Sequence, residues 1–547
     1  MDYVLFTRKL KKRLLAEYGK TPKAMYFDGD IALIREHYEF RLKNALDEFL
    51  LDDITWHDLA MDDLFKRINK RLTTSGEQYL YYLLRCPCLR KAEYDKRFKM
   101  IKFMEENPSM RLKLQVILAQ LGRRRGILLH KAFVPSDSRY TKLFIYISLA
   151  LALPILIIGV LMGSQILALM LVALLIFNPL YHHFTYKNIE FELQTVSYIV
   201  AIIKAAKKVK KLKLSELAIY LKKFYQSISH LKSLNSTAFS IGESGGAKDE
   251  ITLMITFILN SFLLVDLIAH ELIKNKLGKY HQEIFNIHET IGMLDASIAV
   301  ASYRASLDSY SLPQVNFGEG VDTSEGVDTS INITDVMHPL VKNPVVNSLD
   351  VSTPILLTGS NASGKSTFLK SIALCMIMAQ SICTTLAKDY EAPAFYIYTS
   401  MAIADDLLAG DSYFIAEIKS IKRIVDALSL KRPIFCVIDE ILRGTNTVER
   451  ISASSELLKL IANKGALCFA ATHDIELCEL LKQDYLMLHF TESITEAGEV
   501  MFDYNLRSGR ATSRNAIRLL DALGFDKGLV AAANKKASEY ARDGRWN

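Results

Sequence analysis

The residues with the clearest chemical potential lie between Gly359 and Ser366. The octet Gly359-Ser360-Asn361-Ala362-Ser363-Gly364-Lys365-Ser366 follows the short apolar run Ile355-Leu356-Leu357-Thr358 and leads into a helical pattern, Phe368, Leu369, Ile372, Ala373 and Met376. Strand, glycine loop and helix in that order read as a phosphate-binding loop. Gly359 and Gly364 let the backbone turn tightly. The N–H groups from Ser360, Asn361, Ala362 and Ser363 through Ser366 and Thr367, with the helix N-terminus, then face phosphate oxygens. Lys365 is placed to reach the outer phosphates of ATP, and the Ser366 hydroxyl to bind Mg²⁺.

A second apolar run, Ile434-Phe435-Cys436-Val437-Ile438, ends in Asp439-Glu440. A buried parallel strand that delivers acids to its C-terminal edge has this composition. Asp439 is the candidate for the Mg²⁺ shell and Glu440 for the group that polarises the attacking water; taken alone, the two acids would equally mark the end of a strand. A third run, Ala466-Leu467-Cys468-Phe469-Ala470-Ala471, ends in Thr472-His473. A lone histidine is usually structural. At the same sheet edge as the two earlier motifs, His473 becomes a candidate γ-phosphate sensor or water-orienting group.

Such motifs need a sheet and a chain long enough to bury it. With 547 residues, half of them hydrophobic and 23% charged, the chain has material for about three to four domains and is not a disordered polymer. Its net charge of +7, spread over this length, permits contact with nucleic acid or acidic lipid and demands neither. The seven cysteines are odd in number and lack a paired CxxC spacing for zinc, so they read as reduced, cytosolic thiols. Met1 to Arg13 is charged throughout and reads as no cleavable signal peptide.

Residues 1–138 have helical periodicity, as in Leu59, Leu64, Ile68 and Leu72. From Leu143 to Tyr181 no charged residue occurs, and Gly163-Ser164-Gln165 divides the run into two stretches of about membrane-spanning length. A transmembrane helical hairpin over 139–186 is expected, with a buried soluble hairpin as the lesser alternative. Pro154 is a candidate kink, and Asn178-Pro179 a candidate end of the second helix. Arg123, Arg124, Arg125, Lys131, Arg139 and Lys142 before it, and Lys187 and Lys204 after it, put both flanks on the cytoplasmic side. That predicts a multi-pass cell-membrane protein with both termini cytoplasmic. Lysines from 204 to 213 alternate with Ile203, Val209, Leu212 and Leu214, suiting anionic lipid, a DNA backbone or a solvated helix face. Helical periodicity resumes over 187–310. Residues 311–335 turn rich in Gly, Asp, Ser and Thr, with Gly-Val-Asp-Thr-Ser at 320 repeated at 326, and read as a linker loop.

With these motifs placed, the stretch Asp405-Asp406-Leu407-Leu408-Ala409-Gly410-Asp411-Ser412-Tyr413-Phe414-Ile415-Ala416-Glu417-Ile418 resembles the signature region of the MutS family of ATPases. The loop from Thr358 to Thr367, the acidic strand and turn from Asp439 to Thr447, Thr472-His473 and His338-Pro339 are similar to that family's motifs in the same order. The resemblance implies an α/β P-loop NTPase of the ABC/MutS type over 336–547, a mostly parallel sheet flanked by helices, hydrolysing ATP with Mg²⁺. It also implies a homodimer with composite sites, in which Ser412, at a helix N-terminus, reaches the partner's γ-phosphate in trans, and closing helices from Thr512-Ser513 to Ala533 that serve dimerisation. Upstream, Thr73-Thr74-Ser75-Gly76-Glu77-Gln78-Tyr79-Leu80 with Leu84-Arg85-Cys86-Pro87 looks like the start of the family's all-α lever, and 187–310 like its return. The apolar hairpin stands where relatives extend the levers into a DNA clamp.

The departures carry as much information. No room precedes the lever for mismatch-reading and connector domains, and Tyr38-Glu39-Phe40 has the wrong order for a Phe-x-Glu wedge, so mismatch recognition is not expected. Pro344-Val345-Val346-Asn347 holds no aromatic where relatives stack adenine. The leading expectation is a membrane-anchored MutS-like ATPase that moves helical levers, with DNA as one candidate load. An ATP-dependent membrane scaffold with a protein partner is the alternative. A transporter ATPase is disfavoured because two spans are few, no intramembrane charge marks a route, and the Leu-Ser-Gly-Gly signature is missing.

Overall fold

The structure, a computed structural model, describes residues 2–22, 26–27, 29–42, 49–70, 72–127, 129, 141–231, 250–318, 328–360, 363–401, 413–430, 432–494, 500–511, 517, 520–521 and 524–543. The chain forms two compact units, Met1–Asp47 with Ile68–Tyr82 and Lys99–Ser306, and Glu48–Arg67 with Leu83–Phe98 and Leu307–Asn547. Thus residues grouped together by helical periodicity over 1–138 are shared between the two. In chain order the helices begin α1 (Asp2–Glu17), α2 (Asp30–Leu42), α3 (Asp53–Asp58), α4 (Met61–Ile68), α5 (Thr74–Arg85), α6 (Lys91–Glu106) and α7 (Pro108–Leu121). There follow α8 (Thr141–Leu161), α9 (Gln165–Lys211), α10 (Lys222–His230), α11 (Glu250–Leu263), α12 (Val265–Leu277) and α13 (His281–Arg304).

The first unit is helical among its described residues. Its centre is α13, whose residues from Ile291 to Arg304 are buried on every side. Two glycines let α5 approach it. A Cβ on Gly76 would lie 2.0 Å from the Asp295 carboxylate, and one on Gly292 would lie 2.6 Å from the Ser75 carbonyl. Asp295 accepts from the Thr73 amide at 2.9 Å and the Thr73 hydroxyl at 2.6 Å, while Ser75 contacts the Tyr198 hydroxyl at 2.9 Å and His288 Nδ1 at 3.0 Å. Thr73, Ser75 and Gly76 therefore owe their residue types to one buried polar joint between α5, α9 and α13.

Helices α8 and α9 pair through a tight turn at Gly163 (φ 88°), with Ser164 capping α9. Both are long and apolar enough to cross a membrane, and only 11% and 6% of their apolar windows are buried within the protein. The expected end at Asn178-Pro179 is not observed, because α9 continues through Pro179 to Lys211. Proline removes one ladder bond. The helix persists since Tyr198, Ile199, Ile202, Ala206 and Val209 are buried in the unit's core, and packing rather than propensity sustains it. Lys204, Lys208, Lys210 and Lys211 lie exposed opposite that face.

The second unit is built on a six-stranded sheet in the order β12-β9-β4-β8-β7-β6. Its strands are β4 (Ile355–Thr358), β6 (Tyr396–Ser400), β7 (Ile434–Asp439), β8 (Leu467–Thr472) and β9 (Leu486–His489), all parallel, with β12 (Arg507–Ser508) antiparallel at the edge. Every residue of β4, β7 and β8 is buried, which accounts for their unbroken apolar runs. A four-stranded sheet, β1-β5-β2-β3, combines β1 (Gln314–Asn316), β2 (Ile331–Val336), β3 (Asn347–Val351) and β5 (Asp389–Pro393). Part of the expected 311–335 loop is thus strand; runs this short within polar sequence carry no alternation to betray them. A hairpin pairs β10 (Glu492–Ile494) with β11 (Val500–Phe502). The helices are α14 (Lys365–Ile382), α15 (Tyr413–Ala427), α16 (Thr447–Asn463), α17 (Ile475–Leu480) and α18 (Lys527–Asp543). Upstream α3 joins this unit: the Asp58 carboxylate accepts from the Thr399 hydroxyl at 2.6 Å and the Met401 amide at 3.0 Å beside β6. All seven cysteines are buried as thiols, none in a disulfide.

Candidate functional site

Strand register gathers the three motifs. Thr358 pairs with Thr472 across β4 and β8, and Ala471 pairs with Asp439 across β8 and β7. The residues that follow, Gly359, His473 and Glu440, therefore leave the sheet at one edge. The Glu440 amide donates to the Ala471 carbonyl at 2.9 Å, which holds Glu440 at a left-handed φ of 56° and turns the chain sharply after the acids.

The glycine loop needs its glycines. Gly359 has φ 147°, and a Cβ there would lie 2.9 Å from both the Phe490 carbonyl and the Ser363 hydroxyl; Gly364 has φ 104°, with the Tyr504 ring at the same 2.9 Å. Gly364 precedes α14 as its N-cap, and among the described residues no side chain caps that helix, so its first-turn amides are available to an anion. Ser363 is fully buried, and its hydroxyl has no hydrogen-bond partner among the described residues. Thr367 is exposed in the same first turn. These features fit phosphate oxygens.

Lys365 is 4% exposed, and its ammonium donates to the Gly359 and Ser360 carbonyls at 2.7 and 2.8 Å, with His473 Nε2 at 3.5 Å. Burial lowers its pKa, while Asp439, Glu440 and Glu492 oppose the shift by favouring the charged form. The Ser366 hydroxyl donates to Asp439 Oδ2 at 2.5 Å. A hydroxyl and a carboxylate brought together supply the hard oxygen ligands that Mg²⁺ prefers. Glu440 is gripped from two sides, by His473 Nε2 at 2.8 Å and Arg443 Nε at 2.5 Å. The hydrogen bond from His473 holds its pKa below the ordinary carboxylate range, against the effect of burial; Arg443, His473 and Lys365 add charge in the same direction.

Several contributors were not foreseen from sequence. Glu492 accepts from the Ser360 hydroxyl at 2.8 Å, although 132 positions separate them and no local pattern marks the pair. Buried Glu417 on α15 accepts from the Arg443 amide at 3.2 Å, and amides of Leu442, Arg443 and Gly444 favour its charge while burial raises its pKa. Arg443 and Glu417 both lay inside recognised motifs, but only the fold reveals that they fix the turn after Glu440. Tyr504 supplies an aromatic beside Gly364, and Asn347 holds it by donating to the Tyr504 carbonyl at 3.1 Å. An aromatic is thus present near the loop, although 344–347 contains none. His338 lies in the same unit and is held neutral, burial pushing its pKa down to about 4. Asn361, Ala362 and Ser412, with the rest of 402–411 and 512–516, lie outside the described residues. Helix α15 starts at Tyr413, next to Ser412.

Residues 355–541 match the family model MutS domain V. These residues are thus a domain of the MutS type. It is 30% identical over 279 residues to the DNA mismatch repair protein MutS of Fusobacterium nucleatum, covering 48% of this chain and 31% of that protein. It is 31% identical over 264 residues to MutS protein homolog 4 of Homo sapiens, covering 47% and 26%. The MutS of Acetivibrio thermocellus matches at 26% over 266 residues. The chain therefore spans about a third or less of the length of these curated relatives. The phosphate loop, the acids and the histidine all fall inside the matched MutS domain.

Proposed function

We propose that this chain is a membrane-anchored, dimeric MutS-type ATPase whose nucleotide-driven closure moves its helical unit. The observation that carries the reading is the convergence at one sheet edge of an uncapped helix N-terminus with Lys365, the Ser366–Asp439 pair and the Glu440–His473 pair. Amides of 363–366 and Lys365 bind the triphosphate of ATP, and Tyr504 flanks the base. Ser366 and Asp439 would hold Mg²⁺, which neutralises phosphate charge when bound. Glu440, kept ionised by His473 and Arg443, takes a proton from the attacking water, and His473 fixes the carboxylate's orientation. Glu417 secures the turn from which Glu440 projects.

Ser412 completes the partner's site from the N-terminus of α15. Mixing Ser412→Ala protein with Lys365→Ala protein should restore part of the ATPase activity that each lacks alone; no recovery would refute the trans role. The exposed apolar pair α8–α9 anchors the chain in the cell membrane, with both flanks and the ATPase domain cytoplasmic. The bacterial relatives' names concern DNA mismatch repair, and the exposed Lys204, Lys208, Lys210, Lys211 and Lys213 suit a DNA backbone. A second reading, a membrane scaffold that uses ATP as a timer, is favoured by the apolar hairpin itself. Binding of duplex, branched and single-stranded DNA across a salt series separates them: a steep salt dependence supports a DNA load, and no binding at low salt supports the scaffold.

A further inference from the structure

The segment before α13 shares the chemistry of the hairpin. From Ile251 to Val265 no residue is charged, and Met254, Ile255, Phe257, Ile258 and Leu259 on α11 are all exposed, Phe257 to 68%. At 1.5 Å per residue the 14 residues of α11 reach about 21 Å, short of the ~30 Å a crossing requires. The break at Leu264, whose φ is 52°, bends α11 away from α12 by 72°.

Contacts within the unit fix where this bend lies. His182 Nε2 meets the Asp266 carboxylate at 2.8 Å and Lys274 donates to Glu192 at 2.6 Å, so α12 runs alongside α9 in the same direction. Because α11 turns 72° from α12, it lies across α9 rather than along it. The level is set by Asn178 on α9, whose side-chain amide donates to the Phe262 carbonyl at 2.8 Å. That carbonyl lies at the broken end of α11, where the helix ladder is interrupted. A donor there lets irregular backbone exist at membrane depth. Leu264 and Leu267 pack with Tyr146 and Tyr181, aromatics at the flank-side end of the hairpin. Asn178 is four residues, about 6 Å, further into the apolar stretch than His182.

We propose that α11 is an in-plane membrane helix, seated at the boundary between headgroups and acyl chains beside the hairpin, and that phospholipid covers its apolar face. The proposal rests on the hairpin crossing the bilayer, and it adds a lipid contact without another crossing. Lacking cationic residues, α11 is held by burial of apolar surface rather than by anionic headgroups.

The test is tryptophan quenching in vesicles of the full chain, using phospholipids brominated either near the top of the acyl chain or near its middle, and scoring each variant against the parent protein. Phe257→Trp should be quenched several-fold more than Lys222→Trp on α10, and more by the shallow bromine than by the deep one. Val172→Trp, in the second span, should show the opposite depth preference. If Val172→Trp is quenched while Phe257→Trp behaves like Lys222→Trp, α11 is off the membrane and the proposal fails with the hairpin intact. A deep preference at Phe257 equal to that at Val172 would overturn the in-plane placement. An unquenched Val172→Trp would overturn the hairpin and this proposal together.

Discussion

Replacing Glu440 by glutamine tests the chemistry of the site with little disturbance of its shape. The amide keeps an oxygen where Oε1 accepts from His473 at 2.8 Å, but it loses the charge that Arg443 meets at 2.5 Å and the basicity that accepts a proton. Arg443 is 41% exposed, so the lost ion pair costs about 0–1 kcal/mol of folding stability and the melting temperature should barely move. Loss of a positioned base slows hydrolysis by about 10²–10⁴-fold, equivalent to about 3–5 kcal/mol on the barrier. Affinity for ATP should stay within about threefold, because triphosphate binding is assigned to the loop amides and Lys365. Single-turnover phosphate release and equilibrium nucleotide binding on the same preparation separate the two effects. Hydrolysis within threefold of the parent would refute the role given to Glu440.

Other consequences reach further into both units. Tyr504→Ala should weaken ATP binding by about fivefold or more, given about 1–3 kcal/mol for a base stacked on an aromatic, while leaving inorganic triphosphate binding unchanged; calorimetry distinguishes them. Gly364→Ala forces a Cβ into a left-handed φ and against Tyr504, at a cost of about 1–3 kcal/mol, and should reduce nucleotide affinity at least tenfold in the same assay. Burial pushes the Asp295 carboxyl from 3.8 up to about 7, against the hydrogen bonds from Thr73 and with help from the charge of Glu77. Its folded value lies above its unfolded one, so its stabilising contribution is complete below pH 3.8 and is lost as pH rises through about 7, on the order of 4 kcal/mol in all. Relative to the parent, Asp295→Asn should gain stability between pH 5 and pH 8 in denaturant melts; parallel curves would contradict this.

The site was legible in sequence because its chemistry is local. Ile355–Ser366, Ile434–Glu440 and Ala466–His473 each hold a buried strand and its reactive end within one short run, and the parallel register aligns those ends. Glu492 and Tyr504 were not legible, because they reach the loop through a hairpin and an edge strand whose positions only the folded sheet determines. The same limit applies to α3, which is helical by periodicity but belongs beside β6 through Asp58. Pro179 misleads for the opposite reason: a local breaker is overridden by packing of the residues that follow it. The hairpin was visible as a charge-free run, whereas α11, at 14 residues, is little more than a third that length and was lost among ordinary helical periodicity.

If loop amides and one ammonium hold the triphosphate, Lys365 is indispensable to nucleotide binding. Equilibrium binding of a non-hydrolysable ATP analogue to the purified chain, with Mg²⁺, measures this directly for the parent and for Lys365→Ala. One saturable site per chain that disappears in Lys365→Ala is the predicted result; equal binding by the two proteins would contradict it.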